Sequence, residues 1–316
     1  MKALFTYDYG DEQMAQIETL GYEILYIKEN EISNKLSEII AFDPEVLVCY
    51  DPFAHLPLKQ LTQLKWIQLS SIGVDQVPID IALERAFIIT NNRGGYAIPM
   101  GEWIVYQMLY HYKFGQYFQQ MKSERKWKIN TEIRELTHRK ALFIGTGTIA
   151  KEAAKRLKGY DIKCIGINTD GRDTVYFDNC YPMSSLDEIL GEMDFVILTI
   201  PHTNRTEGLI CKTRLSIIKE DAVLINVARG RLIVEEDLVE ALDQGKFLGV
   251  SLDVFENEPL ESTHKLWHYD RVTITPHNSW ISEFRNIRRF DLIYRNLKAF
   301  HENHELENRV DLKRGY

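Results

Sequence analysis

The sequence predicts an α/β protein of two doubly wound domains, each a parallel sheet wrapped by helices. Three observations carry this. At 316 residues the chain exceeds one ordinary core, since domains cluster near ~100–150 residues. Short β-rich runs alternate with amphipathic helical stretches in two separate series, the rhythm of parallel strands joined by helical crossovers. Between the series, residues 99–121 (PMGEWIVYQMLYHYKFGQYFQQM) break that rhythm with one long helical segment opened by Pro99.

In the first series, residues 2–7, 23–27, 46–50, 65–69 and 87–90 read as strands, separated by helical patterns such as 11–20 and 33–41. From Lys140 the second series places strands at 140–145, 162–167, 195–200, 222–227, 247–253 and 272–275. Each but the last is followed by a helix-compatible stretch, and six strands suit a dinucleotide-binding sheet. Residues 283–303 read as a helix that returns to the first domain. The predicted division is residues 1–98 with 283–316 for one domain and 99–282 for the other.

A composition of 45% hydrophobic and 27% charged residues is that of a folded chain rather than a disordered one. The net charge of −8 opposes contact with phosphate backbones or anionic membranes, so neither nucleic acid nor membrane is an expected partner. Cys49, Cys164, Cys180 and Cys211 are scattered with no CxxC pair, which points to a reducing, cytoplasmic compartment. The opening MKALFTYD turns polar at once, unlike a signal peptide, and no run approaches the ~20 apolar residues of a membrane span. His301 and His304 in HENHE resemble a metal pair but read as a solvated helix end, so no metal is expected.

The strand Lys140–Ile144 runs into Gly145-Thr146-Gly147-Thr148-Ile149-Ala150 and then the helical KEAAKRLKG. This is a G-x-G-x-x-A fingerprint in the strand–turn–helix setting of a Rossmann dinucleotide-binding domain. Gly145 permits the tight turn, Gly147 lets a pyrophosphate approach the backbone, and Ala150 is small enough for close helix–sheet packing. The next strand ends where an NAD enzyme holds an acid against the ribose 2′-hydroxyl. Here that position is Asn168, followed by Thr169-Asp170-Gly171-Arg172. An amide, a hydroxyl and a guanidinium in place of a carboxylate suit a 2′-phosphate. NADP is therefore the favoured cofactor, with NAD the alternative if Asp170 swings inward.

Arg229, Glu258 and His277 lie just beyond three successive strands of the second series, at the carboxyl edge where such sheets bind ligands. Each alone reads equally well as a loop charge or cap. Beside a nucleotide site they form a reaction set.

With SSIGVD (70–75), GTGTIA (145–150), PHTNRTEGLI (201–210), NVARG (226–230), DVFENEP (253–259) and TPHNS (275–279) in this order, the chain resembles the D-isomer-specific 2-hydroxyacid dehydrogenases over essentially its whole length. The resemblance implies a flavodoxin-like substrate domain, closed by the C-terminal helix, beside the Rossmann domain. It also implies that Arg229, Glu258 and His277 are catalytic, and that Ile72 and Gly73 hold the substrate carboxylate through backbone N–H groups. Cofactor contacts are implied at Pro201, Thr206, Val227, Ala228, Asp253 and His277, beside the Gly145–Ile149 turn. A homodimer whose contact includes residues 99–121 is implied as well. Asn168 departs from the family's commoner NAD preference.

The chemistry is sensible on its own terms. Reducing a 2-oxo acid needs a hydride at carbon and a proton at oxygen, and His277 is a suitable donor near neutral pH. A carboxylate such as Glu258 fixes the ring and favours its charged form. Arg229 can grip a carboxylate and polarise the carbonyl. Arg93 or Tyr96, after the strand at 87–90, is placed to meet the substrate's distal end, and Trp280 reads as a pocket wall or as core. Glyoxylate or hydroxypyruvate is the favoured substrate. A phosphoglycerate-type enzyme remains an alternative, although 316 residues leave no room for an appended regulatory domain, and a formate dehydrogenase is disfavoured because that branch resembles a His–Gln pair where this chain has Glu258. The alternative of another class is a dinucleotide-sensing binding protein of the corepressor type.

Overall fold

In the computed structural model, which describes residues 1–312 and 314, the central strands are buried at every position. Continuous apolar strands of this kind belong to parallel sheets covered by helices on both faces. The chain divides into two units, Met1–Tyr96 with Ser282–Tyr316, and Ala97–Ile281.

Unit 1 contains β1 (Lys2–Phe5), α1 (Asp11–Thr19), β2 (Glu23–Tyr26), α2 (Leu36–Phe42), β3 (Val46–Cys49), β4 (Trp66–Leu69), α3 (Ile79–Glu84) and β5 (Ile88–Thr90). Its all-parallel sheet runs β2-β1-β3-β4-β5, the flavodoxin-like order. The late helix α10 (Arg285–His301) packs Phe290, Ile293 and Leu297 onto Phe5, Ile17 and Trp66, which is why the chain's end belongs to this unit. His301, at the end of α10, lies with its ring centroid 5.9 Å from that of Tyr22. Among the described residues no metal-holding group of His, Cys, Asp or Glu occurs.

Unit 2 opens with α4 (Ala97–Tyr112) and α5 (Gly115–Ser123), which correct the single helix expected over 99–121. Phe114 turns left-handed at φ 52°, and a Cβ on Gly115 would lie 2.4 Å from the Tyr110 ring, so the second helix leaves in a new direction. There follow β6 (Lys140–Ile144), α6 (Thr148–Leu157), β7 (Lys163–Asn168), β8 (Asn179–Pro182), α7 (Leu186–Ile189), β9 (Phe195–Leu198), α8 (Lys212–Ile217), β10 (Val223–Asn226), α9 (Glu235–Asp243), β11 (Gly249–Leu252) and β12 (Val272–Ile274). The sheet has seven parallel strands, β12-β11-β10-β9-β6-β7-β8, not six. β8 carries no apolar alternation because it is a half-exposed edge strand ending in proline, and edges are where sheets tolerate proline. No helix links β7 to β8, and only a short 3₁₀ turn, Lys265–His268, lies between β11 and β12. No helix among the described residues is long and apolar enough to cross a membrane.

A buried polar chain ties α4 to β11. Ser251 Oγ donates to Gln107 Oε1 at 2.9 Å and therefore accepts from His111 Nε2 at 2.8 Å, which fixes the neutral Nε2–H tautomer. The ring fits only because position 249 is glycine, where a Cβ would lie 2.0 Å from His111 Nδ1. Burial pushes His111 down from 6.5 to about 4. Its proton is then bound by the unfolded chain but not the folded one between those pH values, so stability falls as pH drops below 6.5 and levels off below 4. Urea unfolding across this window should show a loss of up to about 3 kcal/mol that His111→Gln largely removes. Parallel curves for the two proteins would exclude His111 as the cause.

Candidate active site

The strand order of unit 2 reverses between β6 and β9, and the crevice at such a switch point is where doubly wound sheets bind ligands. Gly145 ends β6 at φ 103°, and a Cβ there would lie 2.7 Å from Thr199 O, so only glycine lets the turn pass the end of β9. Gly147 then starts α6. No heavy atom lies within 4 Å of where its Cβ would be, and no side chain caps the helix. The first N–H groups, those of Thr148 and Ile149 among them, are left for an anion with the helix dipole behind them. A pyrophosphate fits this open, capless cradle. Ala150, in the first turn of α6, is fully buried.

The Pro201–Thr206 loop, which follows β9, is shaped by one hydroxyl. Thr206 Oγ1 donates to Pro201 O at 2.8 Å and accepts from Thr203 N at 2.8 Å. At the end of β7, Asn168 is buried and its amide is consumed by its own loop. Its nitrogen donates to Arg172 O (2.8 Å) and Thr146 Oγ1 (3.3 Å), while its oxygen accepts from Gly171 N (2.7 Å) and Asp170 N (3.3 Å). Asn168 thus sets the loop's shape and leaves outward display to exposed Thr169 and to Arg172, whose guanidinium pairs with Asp170 at 2.7 Å. That pair lowers the Asp170 carboxyl, chiefly through the hydrogen bond from Arg172.

Glu258 and His277 do meet, and the charge of Arg229 acts on Glu258. Past β10, the buried Asn226 donates to Arg229 O at 2.8 Å and accepts from Ala228 N at 3.0 Å, so its amide closes the turn that carries Val227, Ala228 and Arg229. At Gly230 a Cβ would lie 1.8 Å from the carbonyl carbon of Phe255, a contact that only glycine permits. This backbone approach brings the Arg229 turn against the segment carrying Glu258. Glu258 Oε1 accepts from Phe255 N at 3.0 Å, and Oε2 lies 2.9 Å from His277 Nδ1. A carboxylate only accepts, so Nδ1 carries the hydrogen and Nε2 is the ring nitrogen not engaged by Glu258.

The loop after β12 is held by Asp253, which is 1% exposed. Its carboxylate accepts from Thr275 Oγ1 (2.6 Å), Asn278 N (2.8 Å) and Ser279 N (3.0 Å), and its carbonyl accepts from His277 N (2.8 Å). These bonds hold His277 in the left-handed region at φ 51°. Trp280 Nε1 donates to His277 O at 2.8 Å, so that ring braces the turn. Burial pushes the Glu258 carboxyl up, but the hydrogen bonds from His277 and Phe255 N and the charges of His277 and Arg229 outweigh it and hold it below the usual glutamate value. Two of the cysteines are poor nucleophiles: burial raises Cys49 well above the thiol range and pushes Cys164 up to about 12.

In unit 1 the loop after β4 is fixed by side chains from the segment after β5. Asn91 Nδ2 donates to Ile72 O at 2.7 Å and Tyr96 Oη to Ser70 O at 2.6 Å. Among the described residues neither Ile72 N–H nor Gly73 N–H has a protein acceptor. Arg93, considered for the substrate's distal end, donates from Nε to Asn308 Oδ1 at 3.2 Å. Asn226, Gly230 and the shaping role of Asp253 escaped sequence reasoning. An asparagine closing an otherwise apolar run and a glycine after an arginine are visible in NVARG, but their meaning lies in contacts with distant loops.

A family model described as D-isomer specific 2-hydroxyacid dehydrogenase, NAD binding domain, matches residues 105–279. A Thermofilum pendens protein named glyoxylate reductase is 30% identical over 273 residues, covering 81% of this chain and 78% of its own. A Blautia hydrogenotrophica protein named hydroxypyruvate reductase is 25% identical over 301 residues, 92% of each chain. Among solved structures, a D-isomer specific 2-hydroxyacid dehydrogenase family protein from Aeromonas salmonicida subsp. salmonicida A449 superposes with a TM-score of 0.86 at 27% identity, covering 98% of this chain and 99% of that one.

Proposed function

Because the chain belongs to the D-isomer specific 2-hydroxyacid dehydrogenases, a family of NAD(P)-dependent oxidoreductases, we propose that it reduces a small 2-oxo acid, with glyoxylate or hydroxypyruvate the favoured substrate. The observation that carries this is the 2.9 Å pairing of His277 Nδ1 with Glu258, beside Arg229 and the open cradle at Gly147. The dinucleotide, when bound, supplies the hydride. Gly145–Ile149 hold its pyrophosphate, with Pro201, Thr206, Val227 and Ala228 around the same sheet edge. Asp253, assigned to the cofactor on resemblance, acts by shaping the His277 turn. His277 Nε2 gives a proton to the substrate oxygen, Glu258 anchors the ring, and Arg229 grips the carboxylate and draws charge from the carbonyl. Within unit 1, the N–H groups of Ile72 and Gly73 have no acceptor among the described residues and are open to a carboxylate. The names of the two relatives, at 25–30% identity, support the choice of substrates.

We read the dinucleotide as NADPH, with NADH the weaker alternative. No acid stands at 168 to repel a 2′-phosphate, and Arg172 sits in the same loop with an exposed ion pair that costs little to exchange. The four free cysteines suit a reducing, cytoplasmic setting. Tyr106, Phe118, Trp127 and Ile129 are exposed within and just beyond α4 and α5, which supports a homodimer formed through that region. Light scattering in solution should give twice the chain mass, and a monomer at micromolar concentration would remove that proposal.

His277→Ala should lower kcat for 2-oxo acid reduction by about 10²–10⁴-fold while dinucleotide affinity holds, since the cradle is untouched. Near-wild-type kcat in the variant would dismiss His277 as the proton donor. If no 2-oxo acid in a panel oxidises NADPH or NADH, the dinucleotide-sensing reading takes the enzyme's place.

NADPH should be used with higher kcat/KM than NADH, and Arg172→Ala should erode that ratio about tenfold or more, the worth of one charge-assisted hydrogen bond. A wild-type preference for NADH would end the phosphate reading and leave the reaction assignment standing.

A further inference from the structure

Unit 1 contains a buried cation that the reaction above does not use. Arg289 on α10 is 8% exposed, yet among the described residues it makes no ion pair. Its guanidinium lies over the Tyr7 ring (4.4 Å to the centroid) and the Tyr9 ring (5.1 Å), and one N–H reaches Asn286 Oδ1 at 3.2 Å. Nε is buried with no partner, and so is the hydroxyl of Tyr9. Burial pushes the Tyr9 phenol far above its ordinary range, so it stays protonated and able to donate. Cation–π contact offsets part of the desolvation of a guanidinium, but it offers nothing to an N–H in the ring plane. Two buried donors in one cluster, the Arg289 Nε–H and the Tyr9 hydroxyl, have no acceptor among the described residues, although the rest of the guanidinium is served by Asn286 and Tyr96.

The cluster's place in the fold says what that acceptor is. Tyr7 and Tyr9 follow β1, Ser70–Gly73 follow β4 and Tyr96 follows β5, all at the carboxyl edge of the five-stranded sheet where open parallel sheets take ligands. Tyr96 joins the two features: its hydroxyl donates to Ser70 O at 2.6 Å and it also acts on the Arg289 guanidinium. Arg288 Nε donates to Gly95 O at 3.1 Å and pins α10 to the same loop. Arg289 is thus built into the edge that bears the free amides of Ile72 and Gly73.

We propose that Arg289 and Tyr9 bind a second carboxylate, so that unit 1 selects 2-oxo acids carrying an acid group at both ends. The word substrate here rests on the reductase reading; the anion site itself does not. One positive charge with a planar donor edge and one hydroxyl matches a monoanionic carboxylate better than a phosphate dianion, which needs more donors.

Calorimetric titration of the full chain with malonate and with acetate tests the site without turnover. The wild type should bind malonate at least about tenfold tighter than acetate, and Arg289→Gln should abolish that preference, as loss of a charge-assisted contact implies. Tyr9→Phe should weaken malonate in the same direction by a smaller factor and covers the case of a misfolded arginine variant. Removing an unmatched buried cation should leave Tm unchanged or raise it, whereas a purely structural arginine would lower it. In turnover, the ratio of kcat/KM for oxaloacetate over glyoxylate should fall about tenfold or more in Arg289→Gln. Malonate binding no tighter than acetate, or equal in wild type and Arg289→Gln, overturns the proposal. Absence of turnover with every 2-oxo acid defeats the reductase reading alone, because the malonate titration is then still decisive.

Discussion

The distance between two backbones at Gly230 governs the chemistry of unit 2. With no side chain there, the turn leaving β10 lies against the carbonyl of Phe255, where a Cβ would lie 1.8 Å from the carbonyl carbon. That approach sets Arg229 beside the segment whose Glu258 meets His277. The three residues come from the ends of three different strands, so no local preference can align them. What aligns them is a set of buried groups that make no contact with the outside: Asn226 closing its turn, Asp253 gathering the loop after β12, and glycine at 230. Catalysis by the three together, as proposed, would tolerate errors of only about an ångström, and this scaffolding is what would hold them to it.

The exposure of the proposed acid–base pair gives that scaffolding its meaning. The side chains of Glu258 and His277 are 37% and 39% exposed, a setting in which an ion pair adds little to stability. Asp253, by contrast, is nearly inaccessible and fully matched, and it holds His277 at a positive φ that a non-glycine residue adopts only under constraint. The fold's effort therefore goes into fixing a histidine that contributes little to folding. That asymmetry, a rigid buried support beneath a solvent-facing acid–base pair, is a property of sites rather than of cores.

What the sequence made legible follows from how locally each signal is written. The central strands were readable because residues such as Val46–Cys49 and Phe195–Leu198 are apolar at every position, and a parallel sheet demands that. β8 was not, because an edge strand of Asn-Cys-Tyr-Pro gains its hydrogen bonds from β7 and not from its own pattern. The break at Phe114 was hidden for the opposite reason: residues on both sides favour helix, and only the seat of the Tyr110 ring on Gly115 ends it. Arg229, Glu258 and His277 could be named from their places after strands, while their support could not. Arg289 was wholly silent, since an arginine on a helix looks solvated until the tertiary fold turns it onto Tyr7 and Tyr9.

The cofactor loop shows how a correct residue can carry a different mechanism. Read along the chain, Asn168 is a neutral replacement for an acid that would face the ribose. In the fold its amide is spent on the backbone at 170–172, so it has no hydrogen bond left to offer a nucleotide in this loop conformation. On the proposed NADPH reading, discrimination between a hydroxyl and a phosphate would have two sources: the absence of a repelling carboxylate at 168, and the freedom of Arg172 to exchange Asp170 for another anion. Both side chains of that pair are about three-fifths exposed, so water has already taken most of the attraction between them. A phosphate would replace one screened partner with another of higher charge. On the proposed reading, selectivity built this way would be permissive, arising from a missing repulsion and a modest added contact.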